Sequence, residues 1–242
     1  MKTHFLFFGW PYVAIALLIV GIAIRYLLTR RQMTAVAAEV QEAKVVFGGS
    51  RLWRVALLLL VIGHAVSLLF PRLILWWNGS AGRLYVLEFS AFFLGLAALA
   101  SFVRLLWKHL GQSSRSALVE LSDMVFLSLI FTGLISGLLM AVLYRWGSSW
   151  GVITLTPYIN SLFRLNPATQ FAEQMPFLVR IHLFSTFAAL AVLPLTRLAA
   201  IPIVALHFCL GAIGRPATAI GSAAEAWLRR HNPAAWLWPE ED

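Results

Sequence analysis

Five runs of about twenty apolar residues, interrupted by short polar connections, dominate this sequence. A run of that length matches the hydrocarbon thickness of a bilayer when coiled as a helix. The bilayer core offers no water to satisfy backbone groups, and a helix satisfies them within the run itself. The expectation is an all-α integral membrane bundle of five transmembrane helices, at about 5–28, 54–76, 84–107, 121–144 and 177–199, the last extending toward 213. With 60% of the 242 residues hydrophobic and 12% charged, little is left for a soluble domain. The chain divides into a five-helix domain, 1–213, and a cytoplasmic amphipathic tail, 214–242.

A net charge of +9 suggests nucleic acid only until the cations are placed on the spans. Thirteen of the nineteen Lys and Arg residues, Arg25, Arg30, Lys44, Arg104, Lys108 and Arg230 among them, flank the connections after spans 1, 3 and 5, leaving six on the other side. By the positive-inside rule the N-terminus is expected outside and the C-terminus in the cytoplasm. The basic balance is therefore topology, not a nucleic-acid site. The first apolar run exceeds a signal-peptide h-region and no A-x-A-like site follows it, so it is expected to stay attached. The single Cys209 excludes an intrachain disulfide and offers neither a CxxC zinc site nor a CxxCH heme attachment.

Between the spans, 29–53 reads as a short amphipathic helix ended by Gly48 and Gly49, lying on the membrane surface or against a cytoplasmic partner. Segment 145–176 reads as a long outer loop rich in interfacial aromatics. There is no internal repeat, Gly-rich phosphate loop, HExxH or GxSxG, and no paired broken helices of the transporter kind.

Of six histidines, only His64 and His182 lie well inside apolar spans; His4 and His231 sit near the termini. Ionisable residues at membrane depth are costly and mark function by default. His64 lies six residues before Phe70, where Pro71 ends the helix, and His182 lies five after Phe177. On antiparallel spans both are roughly 8–9 Å below the same end of the bundle, so they can face each other. Two neutral imidazoles so placed suit the axial positions of an iron porphyrin; equally, each could simply hydrogen-bond between helices. Gly63 would let a flat macrocycle approach the backbone, and Arg180 lies where it could neutralise heme propionates.

The order of "VIGH" in span 2, "LSDMVFLSLIFTGLISGLL" in span 4 and "RIHLFSTFAALAVLPLTRL" in span 5 resembles the gamma subunit of respiratory nitrate reductase over roughly residues 5–205. Its relatives include the membrane cytochrome b of the sulfite-reductase-associated Dsr electron-transfer complex. The resemblance implies a five-helix heme b protein of the bacterial inner membrane, exchanging electrons between quinone and a cytoplasmic iron–sulfur partner subunit of a respiratory complex. It implies that His64 and His182 ligate the outer heme. The family's inner heme uses a histidine ten residues before the first ligand and another eighteen after the second; here those positions hold Arg54 and Ala200. One heme is thus the simplest expectation, with His109 and His207 the available ligands for a second.

For the quinone the resemblance points to a basic residue near the start of span 3, where Arg83 stands, the alternative being an interfacial anchor. Glu88, one turn further, is expected either to exchange protons or to pair with Arg83 or Arg72. Asp123 is expected to cap the N-terminus of span 4, and Gly133 with Gly137 to pack helices closely. The competing function is a heme-free anchor that only docks an enzyme.

Overall fold

The computed structural model describes residues 5–110, 120–168, 170–171 and 174–212. After a π-helical turn at Phe5–Gly9, the described elements are α1 (Trp10–Thr29), α2 (Met33–Phe47), α3 (Arg51–Leu69), α4 (Pro71–Trp77), α5 (Ala81–Leu110), α6 (Leu121–Leu143), α7 (Gly147–Phe163) and α8 (Phe177–Val192). The 3-10 turns Leu193–Leu195 and Arg197–Ala199 follow, the second opening an apolar helix, α9 (Arg197–Ala212). Among the described residues five segments have the length and hydropathy to cross a membrane: Phe7–Thr29, Arg51–Leu69, Ala81–Lys108, Leu121–Leu143 and Phe177–Leu195.

Local chemistry explains most boundaries. Pro11 occupies the first turn of α1, where its missing N–H costs nothing. The Ser50 hydroxyl accepts the Trp53 N–H at 3.1 Å, satisfying one orphan donor of α3. Pro71 cannot continue α3 and instead opens α4, so the second apolar run, expected to 76, breaks at Phe70. Pro194 ends α8 in the same way, and the fifth run is a span followed by a separate helix.

The spans form an arc. α8 packs most extensively on α6 and also on α1, α6 packs on α5, and α5 packs on α3. α3 and α8 therefore stand apart and do not form one of the principal helix pairings. Their apolar outer faces, Leu58, Val61 and Phe184 among them, are exposed, as lipid-facing residues should be.

Each end of the arc carries a crosspiece. At one end lies α7, in the segment expected as a loop. Its sequence disguises it: Thr154, Thr156 and Ile153 are β-branched and Pro157 sits inside it, all weak helix formers. Tertiary contacts override that propensity. The wholly buried Tyr158 donates its hydroxyl to the Phe7 carbonyl at 2.7 Å, Tyr12 donates to Leu162 O at 3.0 Å, and Thr156 donates to Ser67 O at 3.2 Å. α7 thus ties α1 to α3.

At the other end lies α2, the amphipathic helix the sequence predicts, ended at Gly48. Val36 is buried against Ala199, Ala200 and Ile203 of α9. Arg25 of α1 bonds Glu39 and donates to the carbonyls of Pro194 and Thr196 at 2.8 and 2.6 Å. Arg197 reaches Glu42 and Glu120, both at 3.1 Å, and Asp123 at 3.4 Å. The P-x-T-R string of span 5 is therefore a structural clamp. Contrary to the expectation that it caps span 4, Asp123 makes no cap on its own helix; its carboxylate accepts the Arg197 N–H at 3.2 Å and tethers α6 to the α8–α9 turn.

Candidate functional site

Helical phase directs the two buried-span histidines toward each other across the space between α3 and α8. The imidazole centroids of His64 and His182 are 6.1 Å apart and the ring planes are inclined by 21°. Each ring is held by its own Nδ1. That atom of His64 lies 2.7 Å from Leu60 O, one turn back on α3. Nδ1 of His182 lies 3.0 Å from Gly133 O and 3.2 Å from Ser136 Oγ, both on α6. A carbonyl only accepts, so Nδ1 must carry the proton in both rings. The lone pair is then on Nε2 in each case, and this is the tautomer that binds a metal through Nε2.

The close approach of α8 to α6 depends on a glycine. A Cβ added at Gly137 would meet His182 Cε1 at 3.3 Å and Nδ1 at 3.5 Å. One at Gly133 would lie 3.6 Å from Ser185 Oγ. The GxxxG of span 4 therefore seats both the helix and the imidazole. Gly63 differs: an added Cβ there would meet nothing within 4 Å, so the backbone before His64 is open to a flat group. Two oriented Nε2 lone pairs and an open glycine fit the axial demands of a bis-imidazole iron porphyrin. Among the described residues no group of three or more His, Cys, Asp or Glu side chains is placed to hold a bare metal ion.

Arg180, at the start of α8, donates its Nε–H to Met175 O at 2.7 Å. Arg83 and Glu88 both lie at the α7 end but do not pair. Arg83 donates to the carbonyls of Trp77 at 2.9 Å and Trp76 at 3.1 Å, with its guanidinium 4.8 Å from the Trp76 ring centroid. It closes the C-terminus of α4 and sits as an aromatic-backed interfacial anchor. Glu88 Oε1 accepts the Ser148 N–H at 2.7 Å and the Ser148 hydroxyl at 2.5 Å. The first turn of α7 has no cap of its own, and this carboxylate from α5 supplies one. Glu88 thus pairs with neither Arg83 nor Arg72. Ser148 and Asn78, whose Nδ2 donates to Ser148 Oγ and Ser149 Oγ at 3.0 Å, complete a polar group that no spacing in the sequence signals.

The residues considered for a second heme are not brought together among the described residues. The ring of His207 lies 6.2 Å from that of Tyr26, with a buried Nδ1 that has no hydrogen-bond partner; the side chain of His109, like His4, His231 and the tail from 213 on, lies outside the described residues. Ala200 is wholly buried, and Arg54 donates to Gly48 O and Gly49 O at 3.1 and 3.4 Å, closing α2. Neither position offers an iron ligand. Sequence reasoning missed Ser136 and the Gly133 carbonyl as the partners orienting His182; a hydroxyl between the two glycines of span 4 was the available signal.

The family described as nitrate reductase gamma subunit matches residues 3–213. The chain is 24% identical to the nitrate reductase gamma chain of Bacillus subtilis over 78% of its length and 86% of that protein. It is 23% identical to the nitrate reductase-like protein NarX of Mycobacterium tuberculosis over 93% of its length, but spans only 35% of that protein.

Proposed function

The chain belongs to the nitrate reductase gamma subunit family, a multi-pass inner-membrane protein with five long apolar helices, and from that premise we propose that it is a membrane cytochrome b. In this reading it exchanges electrons between the quinone pool and an iron–sulfur partner of a larger respiratory oxidoreductase, and is not itself the terminal catalyst. The observation that carries the reading is the pair of facing, Nε2-available imidazoles of His64 and His182. His64 is exposed in this chain, and an exposed imidazole at hydrocarbon depth is costly unless something other than lipid covers it. When bound, heme b supplies a reversible one-electron centre.

The chain's own residues would do the rest. His64 and His182 offer their lone pairs in a fixed orientation, so little ordering remains to be done on ligation. Arg180 offers positive charge to the propionates. Glu88, with the Ser148 hydroxyl 2.5 Å away, is the group we assign to accept ring protons, and Arg83 the cation beside it. The charge bias places the N-terminus, by the same proposal, outside and the α2 end in the cytoplasm, where the partner docks.

One observation favours a second reading, a heme-free anchor. Both imidazoles already have partners: each Nδ1 is bonded to a backbone carbonyl and the rings stack on one another, which is what a polar contact between helices needs. A pyridine hemochrome assay with reduced-minus-oxidised spectra separates the two. The cytochrome shows about one heme b per chain, lost in His64→Ala and in His182→Ala; absence of heme in the membrane-assembled wild type sinks it and leaves the anchor.

A further inference from the structure

A cleft of about 660 Å³ opens between α2, the start of α3 and the last turns of α5, at the end of α3 away from His64. Lys44, Arg104 and Lys108 line it together with Ser50, Ser101 and Leu105. Arg104 and Lys108 are one helical turn apart and so share a face of α5, and Lys44 comes to the same cleft from the last turn of α2.

Three cations around one cleft repel each other unless an anion joins them. The described protein supplies none. Glu39 is engaged by Arg25, and Glu42, Glu120 and Asp123 are engaged by Arg197; Glu88 is engaged by Ser148 at the other end of the bundle. Among the described residues every carboxylate is thus committed elsewhere. Among the described residues Lys44 makes only a long 3.5 Å bond to Gln41, and none of the ion pairs includes Arg104 or Lys108.

The position of the cleft says which anion fits. Lys108 is the last residue of the span Ala81–Lys108, so the cations sit at headgroup level. Directly beside them the surface is apolar and exposed: Trp107 at 77%, Leu52 at 56% and Val45 at 50%. A cationic rim above an apolar wall matches an amphiphile with a phosphate head and acyl tails, and basic pockets between spans bind such headgroups. We infer that the α2–α3–α5 cleft is a binding site for an anionic phospholipid, its phosphate held by Lys44, Arg104 and Lys108. The site joins α2 to α5, and Arg197 holds α2 through Glu42, so that the crosspiece is tied by both protein and lipid.

Native mass spectrometry of the full chain in detergent, with added phosphatidylglycerol or phosphatidylcholine, tests this. Wild type should retain one phosphatidylglycerol in preference to phosphatidylcholine, and Arg72→Gln, at the other end, should behave like wild type. Retention should fall roughly fivefold for each cation removed, as expected for single Lys or Arg contacts to anionic lipid, in Lys44→Gln and further in the double variant Arg104→Gln, Lys108→Gln. If the double variant fails to fold, Lys44→Gln alone carries the test. Equal retention by wild type and variants, or of both lipids, overturns the site. So does displacement of the lipid by millimolar inorganic phosphate, which would make it a free-phosphate site, or by a peptide of residues 231–242, which would make the acidic tail the anion.

Discussion

Asp123 of α6 has no solvent exposure, and its carboxylate accepts both the backbone N–H of Arg197 at 3.2 Å and the guanidinium at 3.4 Å. One residue thereby joins the central pair of spans to the turn where α8 gives way to α9. Arg197→Ala strands the buried Asp123 carboxylate, and losing one partner of a buried pair costs about 3–5 kcal/mol. Asp123→Ala leaves Arg197 with Glu42 and Glu120 and is expected to lower the melting temperature in detergent by less than Arg197→Ala does. The double variant Asp123→Ala, Arg197→Ala should cost less than the two single changes summed; strict additivity would show that the pair does not couple.

Glu88 caps a helix it does not belong to. Glu88→Ala should loosen α7 by about 1 kcal/mol, the usual worth of a cap, and raise protease sensitivity at 147–163. Glu88→Gln keeps an acceptor oxygen for the Ser148 N–H and should retain most of that stability. If it also keeps full quinol-linked electron transfer, the proton-accepting role we assign to Glu88 is wrong and only the cap remains.

Gly63 and Gly137 stand beside the two imidazoles but in opposite surroundings. Gly137→Leu drives its side chain into His182 and should cost about 1–3 kcal/mol by overpacking. Gly63→Leu meets nothing inside the chain, so its melting temperature should change by less than about 0.5 kcal/mol equivalent. In the cytochrome reading the same Gly63→Leu change lowers bound heme, because the open face is where the macrocycle lies. Unchanged heme at unchanged stability would place the macrocycle elsewhere.

Burial pushes the Tyr158 phenol well above the ordinary tyrosine range, with nearby Tyr12 adding to the effect. A phenol kept neutral in the fold contributes stability in full below its unfolded value of about 10, and that share is lost as pH rises from there toward the folded value. Alkaline titration of phenolate absorbance should therefore be the same for wild type and Tyr158→Phe up to about pH 11. A smaller amplitude for the variant in that range would show Tyr158 ionising with the other tyrosines. Tyr158→Phe also frees the Phe7 carbonyl and should weaken the α1–α7 contact by about 1 kcal/mol.

Much of the architecture was legible in the chain itself. The five spans follow from run length alone, since a hydrocarbon slab about 30 Å thick demands helices of that size whatever their neighbours are. The α2 helix was visible through its polar stripe and its two terminal glycines. The meeting of His64 with His182 was legible as well, because depth along a span is counted in residues from a proline or a basic boundary.

What tertiary structure decided are the features whose cause lies far away in sequence. Nothing local makes 147–163 a helix: its β-branched residues and Pro157 argue against one, and contacts from elsewhere hold it, namely the buried Tyr158 with its bond to Phe7, the bonds of Tyr12 and Thr156, and the cap from Glu88. Asp123 read as a cap because its position in the first turn is local, whereas Arg197 is 74 residues away. Pairing of Glu88 with Arg83 or Arg72 was one of its two readings, because Arg83 is near on the same helix, yet Arg83 and Glu88 each bond to another element. Hydropathy is a property of each run and survives in any packing. Hydrogen-bond partners are a property of the assembled bundle, where a polar group in a low-dielectric interior takes whichever donor or acceptor the packing brings within 3 Å.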